Sequence, residues 1–209
     1  MLRILIADDH SIVRKGLKQI LLDEFPAAQI DEVSDAEGLI KKVMAENWDV
    51  VVSDLSMPGR SGLDALQQIK VSHPNLPVLI LSIHPEEQYA LRALKSGASG
   101  YLSKDTAPDE LVKAVQKILL GKKYISQSIA EKLANTYTSG SGKSLHETLS
   151  DREFDVMKLL ANGKSVSEIA EMFSLSVTTV STYRARVMAK MDMKSNSDLT
   201  RYAIENNLI

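Results

Sequence analysis

The stretch VVVSDLSMPG at residues 50–59 runs three valines into Asp54 and then into a Met-Pro-Gly turn. An unbroken apolar run of this length suits a strand covered on both faces of a parallel sheet, and the run 49–53 is read as one. Four similar segments lie nearby: RILIA at 3–7, QIDEV at 29–33, PVLIL at 77–81 and SGYLS at 99–103. Helical apolar spacing fills the gaps, at 12–23 (Val13, Leu17, Ile20, Leu21), 36–46 (Leu39, Val43, Met44), 62–72, 86–96 and 108–120. Five strand and helix pairs predict an α/β fold, a doubly wound five-stranded parallel sheet of flavodoxin-like size.

Beyond it the character changes. Residues 121–134 hold a candidate short helix, and NTYTSGSGKS at 135–144 is a polar Gly/Ser tract that reads as a linker. From Leu149 only helical patterns follow, at 151–161, 165–172, 176–190 and 195–206, which predicts a small all-α domain. The boundaries read 1–121, 122–146 for the linker and 147–209.

Composition narrows the classes. The 209 residues carry 44 % hydrophobic and 25 % charged side chains and a formal charge of -2, values of an ordinary folded protein without general affinity for polyanions. No cysteine is present, which removes disulfides, thiolate nucleophiles and cysteine-bound metals. The opening MLRILIADD lacks the apolar length and cleavage site of a signal peptide, and no run approaches the roughly 18 apolar residues of a membrane span, so a cytoplasmic chain is expected.

In an open parallel sheet, ligands collect at the carboxyl ends of the strands. Here those ends carry Asp8, Asp9, Asp54, Ser82 and Lys104. Three carboxylates in one crevice repel and need positive charge; an all-oxygen set suits a hard cation, with Mg²⁺ the natural candidate. Lys104 opposite them would neutralise an incoming phosphate. Asp54 then has a role as nucleophile, becoming an aspartyl phosphate, with Ser82 donating its hydroxyl to a phosphoryl oxygen. The plainer readings stand beside this one: Asp54 as a turn residue, Asp9 as a helix cap, Lys104 as a solvated side chain.

The motifs ADD at 7–9, SDLSMPGRSG at 53–62 and ILSIHPEEQYALRALKSGASGYLSKD at 80–105 resemble the receiver domain of two-component response regulators, over residues 2–120. That resemblance implies Asp54 as phosphoacceptor, a sensor histidine kinase as donor, and Mg²⁺ held by Asp8, Asp9, Asp54 and the backbone of Ser56. It further implies Lys104 on the phosphoryl group, Ser82 as switch hydroxyl, and Tyr101 as a switch aromatic that turns inward when Ser82 is drawn to phosphate. His84 has no role in that pattern and reads as structural.

In the second domain, SEIAEMFSLSVTTVSTYRARVMAKM at 167–191 has two helices joined by a short turn, with Ile169 and Ala170 inward on the first. Ser176 caps the second, whose stripe is Val177, Val180, Val187 and Met191. Residues 145–209 hold eight Lys/Arg against nine Asp/Glu, yet Arg184, Arg186, Lys190 and Lys194 cluster with one acid among them, Asp192. A hairpin built for protein contacts would read the same way. The segment 149–209 resembles the LuxR-type DNA-binding domain of NarL/FixJ response regulators, on the Leu-Ser-Asp-Arg-Glu start, Ala-Asn-Gly-Lys at 161–164, Glu168-Ile169-Ala170, Thr179-Val180-Ser181-Thr182-Tyr183 and Met191-Asp192-Met193-Lys194. Ser174 stands where glycine is common in that turn. The resemblance implies double-stranded DNA as partner, with Thr178, Ser181, Thr182 and Arg186 facing it, Lys190 or Lys194 on phosphate, and dimer contacts through 195–206.

The expectation is therefore a phosphorylation-controlled, DNA-binding transcription regulator, dimeric on DNA, and not an enzyme. One alternative is a regulator that binds DNA without phosphorylation, its first domain serving as a dimerisation scaffold. Another is a phosphatase or phosphotransferase. Such enzymes usually place a second carboxylate two residues after the nucleophile, where this chain has Ser56.

Overall fold

The computed structural model describes residues 1–127, 129–131 and 144–209. The polar tract expected as a linker at 135–144 lies outside the described residues except for Ser144. Two compact units are present, divided at Ser139 and Gly140.

The first unit alternates strand and helix: β1 Arg3–Ala7, α1 Ser11–Glu24, β2 Gln29–Val33, α2 Ala36–Ala45, β3 Val50–Asp54, α3 Gly62–Ser72, β4 Val78–Ser82, α4 Glu86–Lys95, β5 Gly100–Ser103 and α5 Ala107–Leu119. The sheet is parallel throughout, in the order β2-β1-β3-β4-β5. Ile4, Ile6, Val50, Val52, Leu79 and Leu81 point into a core closed by Leu17 and Leu21 of α1 and Leu111, Val115 and Ile118 of α5. The alternate residues Leu5, Val51 and Ile80 are just as fully buried. Helix α2 touches β1 and α3, and α4 lies along β5. Burial on both faces is why these strands are unbroken apolar runs. Edge strand β2 is the exception; its Asp31 pairs with Lys42 and its Glu32 with Lys18, 3.2 Å away. Met44, expected in the α2 stripe, is 47 % exposed because Leu39, Ile40 and Val43 already fill that face.

After α5 the chain returns to the sheet. Tyr124 forms a parallel bridge to Gly100 at the outer edge of β5. The Tyr101 amide donates to the Tyr124 carbonyl at 3.3 Å, and the Tyr124 amide to the Ser99 carbonyl at 2.9 Å. A Cβ on residue 100 would sit 2.7 Å from that Tyr124 carbonyl oxygen, so only glycine allows the approach. The Tyr124 hydroxyl is anchored on Glu110 of α5.

The second unit opens with a 3₁₀ turn, Leu145–Thr148, followed by α6 Asp151–Ala161, α7 Val166–Met172, α8 Val177–Met191 and α9 Asn196–Glu205. Ser150 with Glu153, Ser165 with Glu168, and Ser195 with Asp198 form reciprocal capping boxes, and Ser176 caps α8 alone. Helix α6 packs on α7, α8 and α9. Ile169, Ala170, Val180, Val187 and Met191 are buried as expected, whereas Val177 is 50 % exposed. Val177 is the first residue of α8, and the buried positions of that helix begin at Val180.

Ser174, in the turn between α7 and α8, has a left-handed backbone with φ of 54°. A side chain in that region costs about 1 kcal/mol that glycine avoids, set against glycine's larger unfolded-state entropy. Ser174→Gly is therefore expected to leave stability unchanged or raise it by up to about 1 kcal/mol, read as the urea midpoint of the full chain.

Candidate functional site

The carboxyl edge of the sheet gathers the predicted side chains. Asp54 ends β3 and Ser82 ends β4; Asp8 follows β1 and Lys104 follows β5. Parallel register sets Asp54 beside Leu81 and Ser82 beside Ser103. The Lys104 amide donates to the Ser82 carbonyl at 2.9 Å, so β4 pins the residue that carries the ammonium.

Asp8 and Asp54 are buried, and Lys104 Nζ lies 2.7 Å from Asp8 Oδ2 and 2.8 Å from Asp54 Oδ2. The second contact is a hydrogen bond; the first is an ion pair without hydrogen-bond alignment, and Asp8 Oδ2 has no hydrogen-bond donor. Burial pushes the Asp54 carboxyl above the ordinary aspartate range; Lys104 pulls the other way and loses. Burial also works against the Lys104 charge, but the attraction of the Asp54 and Asp8 carboxylates outweighs that and holds it above the usual lysine range. Ser56 N–H donates to Asp54 Oδ1 at 3.2 Å.

Asp9 is not the cap of α1. That position belongs to His10, whose side chain makes no capping bond, while His10 Nδ1 lies 2.8 Å from Asp9 Oδ1 and 3.3 Å from Asp8 Oδ1. Asp8, Asp9, His10 and Asp54 each offer a ligand atom within 4.8 Å of the others. Asp8 Oδ2 and Asp9 Oδ1 are buried and accept no hydrogen bond, their near contacts being Lys104 Nζ and His10 Nδ1, and carboxylate oxygens gathered in this way fit a hard divalent cation.

Ser82 is fully buried, its Oγ accepting from the His84 amide at 2.9 Å. Tyr101 is buried too, with its hydroxyl donating to the His84 carbonyl at 2.9 Å; burial pushes that hydroxyl's pKa up. His84 Nε2 is 2.8 Å from Ser56 Oγ, and its ring stacks on Tyr89 at 4.6 Å. His84 thus links the loop after Asp54 to both Ser82 and Tyr101. Sequence reasoning named neither His10 nor His84 as part of the site, although the first directly follows the acidic pair and the second lies two residues past Ser82.

In the second unit, Thr178, Ser181, Thr182, Arg186, Lys190 and Lys194 are all exposed. The first four lie at helical spacing on one side of α8, with Thr182 Oγ1 bonded to the Thr178 carbonyl at 3.0 Å. Lys190 differs from the others: its ammonium is 2.5 Å from the buried carboxylate of Glu153. Arg184 is bonded to Asn196 at 3.1 Å. Arg186 makes no ion pair among the described residues and leaves a free guanidinium on the α8 surface. Tyr183, the last residue of the Thr179–Tyr183 motif, is half-buried.

Comparison with known proteins matches both units. Residues 4–116 fit the family described as response regulator receiver domain, and 147–203 the bacterial regulatory proteins of the luxR family. The response regulator UvrY of Escherichia coli O6:H1 is 35 % identical over 209 residues, spanning 100 % of this chain and 96 % of that protein. The oxygen regulatory protein NreC of Staphylococcus carnosus is 35 % identical over 215 residues, spanning 100 % and 99 %. Among solved structures, RcsB from Salmonella enterica serovar Typhimurium, bound to promoter rprA with the phosphomimetic BeF3-, aligns with a TM-score of 0.63 at 27 % identity, over 96 % of this chain and 97 % of that one. A structure of two RcsB dimers on two parallel DNAs aligns with a TM-score of 0.59 at 28 % identity, over 96 % and 97 %.

Proposed function

Because the chain belongs to the NarL/FixJ response regulators, a receiver joined to a LuxR-type DNA-binding domain, we propose that Asp54 accepts a phosphoryl group from a partner histidine kinase and thereby controls DNA binding by the second unit. The observation that carries this is the contact of one ammonium, Lys104 Nζ, with the buried Asp54 and Asp8 carboxylates at the sheet edge. We take 1–121 as the receiver, 147–209 as the DNA-binding module and 122–146 as the connection. The first residues of that connection are packed, through Tyr124, on β5.

In the step itself an Asp54 carboxylate oxygen attacks the phosphorus of the kinase phosphohistidine. The P–N bond breaks, and the imidazole leaves and takes up a proton. Lys104 faces the charge that gathers on the phosphoryl oxygens, and Ser56 N–H fixes the Asp54 carboxylate. Asp8, Asp9, Asp54 and the Ser56 carbonyl would hold Mg²⁺, which supplies charge neutralisation between carboxylates and phosphoryl oxygens. Once phosphate is in place, the Ser82 hydroxyl turns from its present bond with the His84 amide toward the new oxygens. The β4–α4 loop follows, and with it the carbonyl that holds Tyr101.

In the second unit Thr178, Ser181, Thr182 and Arg186 enter the major groove with α8, and Lys194 meets phosphate; Lys190 reaches DNA only by sharing its ammonium with Glu153. RcsB dimers occur on DNA in the solved structures, which supports a dimer here, with α9 as the contact. The activity is regulatory rather than enzymatic. No helix among the described residues is long and apolar enough to cross a membrane, in keeping with a cytoplasmic regulator.

One observation favours the alternative that DNA binding is independent of phosphate: Tyr101 is already buried, the inward placement expected of the switched state. A single experiment separates the two. The full chain is used to select sequences from random duplex DNA, with Mg²⁺ and with or without a small acyl phosphate. Donor-dependent tightening in wild type but not in Asp54→Ala is the expected result; equal binding at every donor level would remove the phospho-switch. Arg186→Ala should weaken the selected site by about 1–3 kcal/mol in either condition.

A further inference from the structure

At the amino edge of the sheet, opposite the aspartates, Lys70, Lys122 and Lys123 line a cleft of about 430 Å³, with Asn75, Gly97 and Ser99 between them. No carboxylate lines it. Several other lysines of the unit are matched with acids, among them Lys18 with Glu32, Lys42 with Asp31 and Lys113 with Glu110. The three cleft lysines have no ion pair among the described residues. Lys70 Nζ donates only to neutral carbonyls, Leu76 at 2.6 Å and Pro74 at 3.2 Å, and Lys123 Nζ donates to the Ala98 carbonyl.

Holding these charges together is unfavourable. Burial pushes the Lys70 ammonium below its ordinary pKa, and the neighbouring Lys123 charge adds to the effect; burial lowers Lys123 as well. The local backbone accommodates the arrangement. Gly97 has φ of +100°, and a Cβ there would lie 3.0 Å from Lys70 Cγ, so the loop passes over the lysine stem only as glycine. A cationic cleft with carbonyl-anchored ammonium groups and no acid lacks only a counter-charge.

We propose that this cleft binds a small, multiply charged oxyanion of the phosphate or polycarboxylate class. Its enclosure by a few residues suits a small molecule; a nucleic acid strand would need an extended basic track, and the cleft has three cations at one edge. The site stands apart from Asp54 and does not depend on phosphoryl transfer. Its floor includes Ser99 and Gly121, which flank the Tyr124 bridge, so occupancy would brace the segment leaving the receiver.

The test titrates the full chain with inorganic pyrophosphate and, separately, citrate. It follows the backbone amides of Gly97, Ser99 and Gly121 by NMR and the stoichiometry by calorimetry. Saturable one-to-one shifts at these amides are expected, with the tighter anion identifying the class. Lys70→Met should weaken binding about tenfold, the loss of one charged contact. Since Lys70 and Lys123 also tie carbonyls, the exposed Lys122→Glu, whose ammonium makes no hydrogen bond or ion pair among the described residues, serves as a second variant and should abolish the shifts while leaving the melting temperature without anion unchanged within about 1 °C. Absence of saturation at these amides with both anions, unaltered affinity in Lys122→Glu, or shifts confined to α8 around Arg186 would overturn the proposal.

Discussion

Asp54→Asn is expected to take up no phosphoryl group from a small acyl phosphate while melting at a higher temperature than the wild-type chain in metal-free buffer. The first outcome follows because the amide has no carboxylate oxygen to attack phosphorus, and no other carboxylate shares its place: Asp8 is turned to Lys104 and the His10 amide, and Asp9 to His10. The second follows from electrostatics. Asp54 is buried, its folded pKa is raised, and the single cation that touches it also serves Asp8. A carboxyl whose pKa rises on folding weakens the fold when ionised, fully above its folded pKa and not at all below the ordinary aspartate value. The melting advantage of Asp54→Asn should thus be largest near neutral pH and shrink as pH falls into the acid range. Mg²⁺ should reverse the order by stabilising wild type more than the variant. Incorporation of label, and melting curves at two pH values with and without Mg²⁺, check these outcomes. A variant that melts lower than wild type at neutral pH without metal would refute the electrostatic account.

The other large effect is expected at Gly62, the first residue of α3. A Cβ there would lie 2.0 Å from the Asp54 carbonyl oxygen, 3.0 Å from its carbonyl carbon and 3.1 Å from Leu55 Cα. All three are backbone atoms, so no side-chain rotation relieves the clash. The Gly62 amide also bonds the Leu55 carbonyl at 2.9 Å, tying the helix start to the residue after Asp54. Gly62→Ala must push α3 off the end of β3 or displace Asp54, at about 3 kcal/mol or more. Its chemical denaturation midpoint should fall accordingly. Any folded fraction should accept phosphate more slowly than wild type, because Asp54 and Lys104 lose their 2.8 Å alignment. Gly59→Ala is the matched control: a Cβ there meets nothing within 4 Å, so it carries only the strain of a positive φ.

Much of this architecture is legible in the sequence for a physical reason. Strands buried on both faces must be apolar at successive positions, and each such run ends where the chain reaches the polar edge. For that reason Asp8, Asp54, Ser82 and Lys104 stand at the ends of β1, β3, β4 and β5. The helices show their stripes for the same reason, and their limits in the structure fall within one residue of those read from spacing. What escapes such reading is contact between residues that share no period. His84 joins Ser56, Ser82 and Tyr101 through its ring and both backbone groups, a role set by the loop conformation. Gly62 and Gly100 are close-approach positions, and a glycine in a sequence does not announce which backbone it must admit. Val177 and Met44 misled because apolar residues at a plausible period still outnumber the places available in a core. Lys190 looked free because Glu153, its partner, lies 37 residues away in another helix.

The two margins of the sheet bear on how the protein behaves when crowded. Open β edges invite strand addition by other copies, a risk that grows with concentration. At one margin β2 carries Asp31 and Glu32 with their lysine partners, a charged fringe that penalises a foreign strand. At the other, Tyr124 occupies the β5 hydrogen-bonding groups beside Gly100 and is fastened to α5 by its hydroxyl. Detaching that one residue would expose a short apolar strand, so the same bridge that orders the exit from the receiver also guards the protein against aggregation.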